Sequence, residues 1–158
     1  MGLPFEVIRI DPADADTAVF CARHGCPPER ACNTILVASK REPKRFAVCV
    51  VPASVQLDVN RRVRSLLGGQ KVSFASAEEM AEVTGMEPGG VTPFALPPGL
   101  PLYVDRRLMA QEWIVLGGGG RDAKIRIAPG VFERLGAQIV DDLGIERAHP
   151  ADTSGTGS

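Results

Sequence analysis

Hydrophobic and polar positions alternate in short runs whose period changes along the chain. Phe5-Glu6-Val7-Ile8-Arg9-Ile10 predicts a short strand. Asp14 or Asp16 can cap a helix that runs to His24, with Gly25 as its stop. Pro27-Pro28 opens a new segment leading to Cys32-Asn33. Thr34 to Ser39 is apolar and β-branched, and Phe46 to Val51 repeats that character after the turn Arg41-Glu42-Pro43-Lys44, so the two predict a hairpin. Leu57, Val63, Leu66 and Leu67 share one helical face, with Arg61, Arg62 and Arg64 mostly off it, and Gly68-Gly69 stops that helix.

Val72 to Ala75 predicts another short strand. Ser76-Ala77-Glu78-Glu79 is a capping box that opens a helix ending near Gly85. Further on, Leu102-Tyr103-Val104 predicts a strand, Asp105 to Ala110 a short helix and Trp113 to Leu116 a strand. Gly117-Gly118-Gly119-Gly120 then makes a tight connection to Ala123–Ile127, which alternates as a half-buried strand. Pro129 suits the first turn of a last helix, expected to reach about Asp141. No repeat is visible, and strands and helices do not follow a regular βαβ order. The expected class is therefore α+β, with a mixed, largely antiparallel sheet flanked by helices. Residues 1–148 are expected to form one domain, and the small, polar stretch 149–158 a disordered tail.

At 158 residues the chain can bury about two-thirds of its unfolded surface, so it needs neither disulfide nor metal for stability. No apolar run reaches the roughly 18 residues of a membrane span, and the first residues do not resemble a signal peptide. A cytoplasmic protein with no membrane contact is expected. Cys21, His24, Cys26 and Cys32 could be drawn as zinc ligands, but they lack paired C-x2-C units. Free, mostly buried thiols are expected instead, with no metal and no cofactor. The net charge of −1 conceals an uneven distribution: −3 over residues 1–22, +7 over 23–71 and −5 over 72–158. The basic segment could attract a polyanion, or it could be an ordinary solvated face.

The loop Met86-Glu87-Pro88-Gly89-Gly90-Val91-Thr92-Pro93 is the strongest local signal. Two adjacent glycines let the backbone turn sharply and approach a ligand closely, while Pro93 stiffens the exit. Backbone N–H groups presented in this way could stabilise an oxyanion during acyl transfer.

Taken in order, Cys32-Asn33-Thr34-Ile35-Leu36, Val50-Val51-Pro52-Ala53, Leu66-Leu67-Gly68-Gly69-Gln70-Lys71-Val72, Ala77-Glu78-Glu79 with Thr84-Gly85, Gly89-Gly90-Val91-Thr92-Pro93 and Gly117-Gly118-Gly119 resemble the YbaK family of aminoacyl-tRNA deacylases. That family includes the editing domain inserted in bacterial prolyl-tRNA synthetases. The resemblance runs from about Thr17 to Leu143. It implies a compact, β-barrel-like mixed sheet and water attack on the ester of a mischarged tRNA carrying a small amino acid. Aminoacyl-tRNA is then the expected partner, and an aminoacyl-tRNA synthetase a candidate one.

The resemblance also places the site. Gly89, Gly90 and Val91 would supply the oxyanion donors. Asn33 stands where relatives carry a lysine, and it can hydrogen-bond but supplies no charge. Thr17, Thr34, Thr92, Pro93, Gly117, Gly118 and Gly119 would line the substrate site. Each has a plainer reading, as a first-turn helix residue, a β-branched strand residue or a turn. Asp105 is expected to cap the helix that follows it. His24, His149 and Cys32 are not expected to act as base or nucleophile. Because Asn33 departs from the pattern, a non-catalytic module that binds tRNA 3′ ends or a small molecule is the alternative on the same fold.

Overall fold

A computed structural model of the chain describes residues 3–86, 91–94 and 96–146. Gly89, Gly90, His149 and the expected tail lie outside the described residues. Ten strands and four short α-helices are present among those described. The strands are β1 (Phe5–Arg9), β2 (Cys32–Ser39), β3 (Phe46–Pro52), β4 (Val55–Leu57), β5 (Val72–Phe74), β6 (Leu102–Asp105), β7 (Ile114–Gly117), β8 (Ala123–Ile127), β9 (Gln138–Val140) and β10 (Gly144–Glu146). The helices are α1 (Thr17–His24), α2 (Arg64–Leu66), α3 (Ala77–Thr84) and α4 (Val131–Arg134).

A five-stranded sheet in the order β5-β2-β3-β6-β9 forms the centre. β2 pairs antiparallel with β3 and β5, whereas β3–β6 and β6–β9 are parallel. A three-stranded antiparallel sheet, β1-β8-β7, lies against it, and β4 pairs with β10 in a two-stranded ribbon. The class is the mixed α+β expected from the sequence.

Two cores follow from the period-two alternation of the central strands. Leu36, Val48, Val50 and Val104 face one side and pack with Ile114, Leu116 and Ile127 of the three-stranded sheet. Val37, Cys49, Val51 and Tyr103 face the other side and pack with Leu57, Val63 and Leu143. A smaller cluster of Ile10, Phe20, Ala31 and Val115 seats α1 on the three-stranded sheet.

Local chemistry sets the helix ends as expected. The Asp16 carboxylate accepts from the N–H groups of Ala18 and Val19, and Gly25 closes α1 at φ 66°. Ser76 and Glu79 form the reciprocal capping box of α3, at 3.0 and 2.9 Å.

Two expected helices are corrected. Leu57 belongs to β4, and the helical segment begins only after Asp58, as a wide π turn (Val59–Val63) running into α2. Val55 and Leu57 are buried while Gln56 is exposed, a strand alternation too short to stand out from the helical spacing downstream. The last helix stops at Arg134 rather than near Asp141. Gly136 takes φ 74°, a left-handed position that terminates a helix, and the β-branched Ile139 and Val140 continue in β9.

Candidate functional site

β2 organises the positions the sequence singles out. Neighbouring residues on a strand point to opposite faces, and here this separates Asn33 from Thr34. Asn33 pairs with Val51 and lines a cavity of about 580 Å³, together with Ile35, Val55, Asp58, Asn60 and Phe74. Thr34 pairs with Val50 and shares the other face with Cys32 and Leu36. The segment after the glycine loop belongs to that second side, since Phe94 and Leu96 pack against the core of Leu36 and Val50.

Val91 and Thr92 are both buried, and the Thr92 N–H donates to Met86 Sδ at 3.3 Å. The side-chain hydroxyls of Thr34 and Thr92 are buried with no hydrogen-bond partner among the described residues. A buried hydroxyl left unpaired costs about 1–3 kcal/mol, and Gln70 Oε1 is in the same state among the described residues.

Thr17 opens α1 and is half-buried. Gly117 is the buried last residue of β7 and pairs with Lys124 of β8. A Cβ at Gly118 would lie 2.9 Å from the Ala123 carbonyl oxygen, and Gly119 takes φ 97°. These two positions therefore need glycine for the turn itself, whatever else the turn does.

Lys124 was not foreseen. It is buried, and its Nζ donates to the Ala15 carbonyl oxygen at 2.6 Å and lies 5.7 Å from the Phe20 ring centroid. Desolvation lowers its pKa, opposed by Asp16 and Cys21. The bond to Ala15 ties the β7–β8 turn to the start of α1 and so brings Gly117 and Thr17 to one end of the three-stranded sheet. The alternating pattern of Ala123–Ile127 assigns Lys124 and Arg126 to one face. It does not say that α1 covers that face.

The remaining candidates have structural roles. His24 stacks on Phe20 with ring centroids 4.7 Å apart, and its Nε2 lies 3.1 Å from Asp14 Oδ2. Asp105 is fully buried and caps the following 3-10 turn, Arg106–Ala110, through the Arg107 N–H at 2.8 Å. The Cys32 thiol is pushed above its ordinary value by burial, and burial raises Cys49 to about 12. Neither can supply a thiolate at neutral pH. Among the four free cysteines, Cys21 is the one not buried, so alkylation of the native protein is expected to label Cys21 first. Mass spectrometry of a time course checks this, and early labelling at Cys32 would contradict its burial. No group of three or more His, Cys, Asp or Glu side chains that could hold a metal occurs among the described residues.

Of the basic segment, Arg41, Lys44, Arg45, Arg61, Arg64 and Lys71 are exposed and Arg62 is half-buried. Lys44 is engaged with Glu79 at 2.7 Å, and Arg64 Nε donates to the Gly69 carbonyl at 2.9 Å. No helix among the described residues is long and apolar enough to cross a membrane.

Comparison with known proteins gives a consistent picture. Residues 11–135 match the family model described as an aminoacyl-tRNA editing domain. A proline–tRNA ligase from Bacillus licheniformis is 38% identical over 61 residues, which cover 39% of this chain and 11% of the ligase. An Enterococcus faecalis protein, EbsC, named as a candidate Cys-tRNA(Pro)/Cys-tRNA(Cys) deacylase, is 25% identical over 95 residues, covering 60% of this chain and 56% of EbsC. The matched stretches thus span little more than half of one curated relative and a small part of the other. The solved structure of a hypothetical protein, APE2540, superposes with a TM-score of 0.78 at 30% identity, covering 89% of this chain and 91% of that one. The structure of a candidate trans-editing enzyme for prolyl tRNA synthetase superposes with a TM-score of 0.75 at 22% identity, covering 91% and 87%.

Proposed function

This chain belongs to the aminoacyl-tRNA editing domain family, and we propose that it is a trans-editing hydrolase that deacylates a mischarged tRNA carrying a small amino acid. The observation that carries this reading is the pair of buried hydroxyls at Thr34 and Thr92 that have no hydrogen-bond partner among the described residues, both at motif positions of the family resemblance. Hydroxyls in that state suit an aminoacyl group that brings its own donors and acceptors. One methylene is worth only about 1–3 kcal/mol in a synthetase pocket, so a small amino acid needs a second hydrolytic check of this kind.

In the proposed reaction, water attacks the ester carbonyl carbon and the ribose oxygen leaves. The carbonyl oxygen carries negative charge in the transition state. The backbone N–H groups of Gly89, Gly90 and Val91 are the proposed donors to it, each worth about 3 kcal/mol. Thr34 and Thr92 orient the aminoacyl group, and Pro93 stiffens the loop exit. Thr17 and the Gly117–Gly119 turn border the terminal adenosine. Asn33 contributes a neutral hydrogen-bonding group where relatives use a charge, so phosphate contacts rest on arginine and lysine elsewhere.

The test is a panel of mischarged tRNAs incubated with the pure protein, following ester loss. At least one tRNA with a small amino acid is expected to lose its ester faster than in buffer. Ester loss at the buffer rate throughout, with tRNA still bound, would make the protein a tRNA-binding module instead. Binding is expected to weaken as salt rises, because each phosphate contact releases counterions. An affinity flat between low and physiological salt would remove the basic segment from the docking surface. Because backbone donors and water carry the chemistry, activity is expected to survive a strong chelator.

A further inference from the structure

Trp113 is the only tryptophan of the chain and stands immediately before β7. Two guanidinium groups lie against its ring. Arg30 Cζ is 4.5 Å and Arg126 Cζ 4.1 Å from the centroid. Each contact is attractive on its own, but two like charges on one indole repel each other. Little ion pairing offsets that repulsion. Arg30 Nε donates to Gln111 Oε1 at 3.2 Å, and its nearest carboxylate, the well-exposed Glu112, is 3.9 Å away. Arg126 is exposed and forms no ion pair among the described residues, although Glu6 pairs with it in register on β1.

The trio is fixed on the face of β7 that α1 packs against, where Trp113 joins the cluster of Ala31, Phe20 and Val115. The Val115 N–H donates to the Arg30 carbonyl at 2.8 Å, and Val115 bridges Ala31 in a parallel contact. Arg30 is therefore three residues before Asn33 on a chain segment held to β7. Along β7, Trp113 stands about 13 Å from Gly117. A planar cation pre-oriented by an indole can stack on a nucleobase with one face and give paired N–H groups to a phosphate with its edge. An acidic peptide would use the charge but not the stacking surface, so the aromatic partner favours an unpaired nucleic acid strand.

We propose that Arg30, Trp113 and Arg126 form the docking surface for the unpaired 3′ end of the substrate tRNA, upstream of the ester, an assignment that rests on the deacylase reading for its substrate. The lone tryptophan reports on it directly. Full-length protein is titrated with a 5′-labelled deacylated tRNA, and with the same tRNA lacking its unpaired 3′-terminal nucleotides. Anisotropy of the label gives the affinity, and Trp113 emission is read in the same titration. Intact tRNA is expected to change the emission at saturation, and truncated tRNA to bind about fivefold or more weakly with a smaller change. Arg126→Gln, checked for native folding by circular dichroism, is expected to weaken intact tRNA binding by a similar factor. It should also flatten the slope of log affinity against log salt by about 0.7.

Unchanged Trp113 emission at saturation, or parental affinity in Arg126→Gln, overturns the proposal. Equal effects of Arg126→Gln on intact and truncated tRNA also overturn it, by assigning the trio to the duplex. Ester loss is scored separately on the parent protein. A parent that engages tRNA through Trp113 without hydrolysing any ester removes the deacylase reading and keeps the docking surface. A hydrolysing parent with a silent Trp113 does the reverse.

Discussion

Replacing Asp105 with alanine is expected to lower the melting temperature by about 5–15 °C. The Asp105 side chain is fully buried at the end of β6. Its Oδ1 accepts from the Arg107 N–H at 2.8 Å, and its Oδ2 accepts from the Gly144 N–H and the Arg107 guanidinium, both at 2.7 Å. One side chain thus joins the central sheet, the 3-10 turn after it and the first residue of β10. Alanine would leave two backbone donors and a guanidinium without their acceptor. Breaking a buried pair on one side costs about 3–5 kcal/mol. Part of that returns here, because the Arg107 side chain is 39% exposed and also donates to the Gly144 carbonyl at 3.0 Å. In a chain of this size each kcal/mol shifts the midpoint by about 2–4 °C. Asp105→Asn keeps one strong acceptor and should lose less. A thermal melt of both variants checks the ordering, and a shift below about 2 °C for Asp105→Ala would show that water reaches the site.

The parts of the fold that were legible in the sequence are those set within a few residues. The β2–β3 hairpin, the Asp16 cap, the Ser76–Glu79 box and the alternation of β8 need no distant partner. By contrast, β4, β9 and β10 exist because each finds a strand far along the chain, Leu57 opposite Gly144 and Ile139 opposite Val104. Three residues carry too little pattern to announce such a pairing. The site divides in the same way. Period two leaves open which of Asn33 and Thr34 turns inward, but their separation onto opposite faces was foreseeable. The burial of Lys124 and the stacking of Arg30 and Arg126 on Trp113 were not. They depend on α1 packing over one face of β8 and on Ala31 meeting Val115, contacts that no local spacing encodes.

The proposed site predicts a loss of activity from two substitutions two residues apart, and for the second of them no loss of stability. Gly90→Val places a branched side chain where the proposal needs bare backbone, and turnover is expected to fall about 10²-fold or more, the usual cost of losing a positioned oxyanion donor. Thr92→Val keeps the shape of the side chain and removes a buried hydroxyl that has no partner among the described residues. Relieving an unpaired buried group is worth up to about 1–3 kcal/mol, so this variant is expected to be as stable as the parent or to melt a few degrees higher. Its activity should nevertheless fall about tenfold, the value of one hydrogen bond of about 1.4 kcal/mol to the bound aminoacyl group. A mutation that merely damaged the fold would lower both quantities together. Asn33→Ala supplies the contrast, since it removes a neutral hydrogen-bonding group on the other face of β2. It is expected to raise KM for tRNA more than it lowers kcat. Steady-state kinetics on mischarged tRNA, paired with thermal melts of the same preparations, measure all three. A fully active Gly90→Val enzyme would remove the loop from the oxyanion role. A Thr92→Val enzyme with parental kinetics would show that the buried hydroxyl faces no substrate.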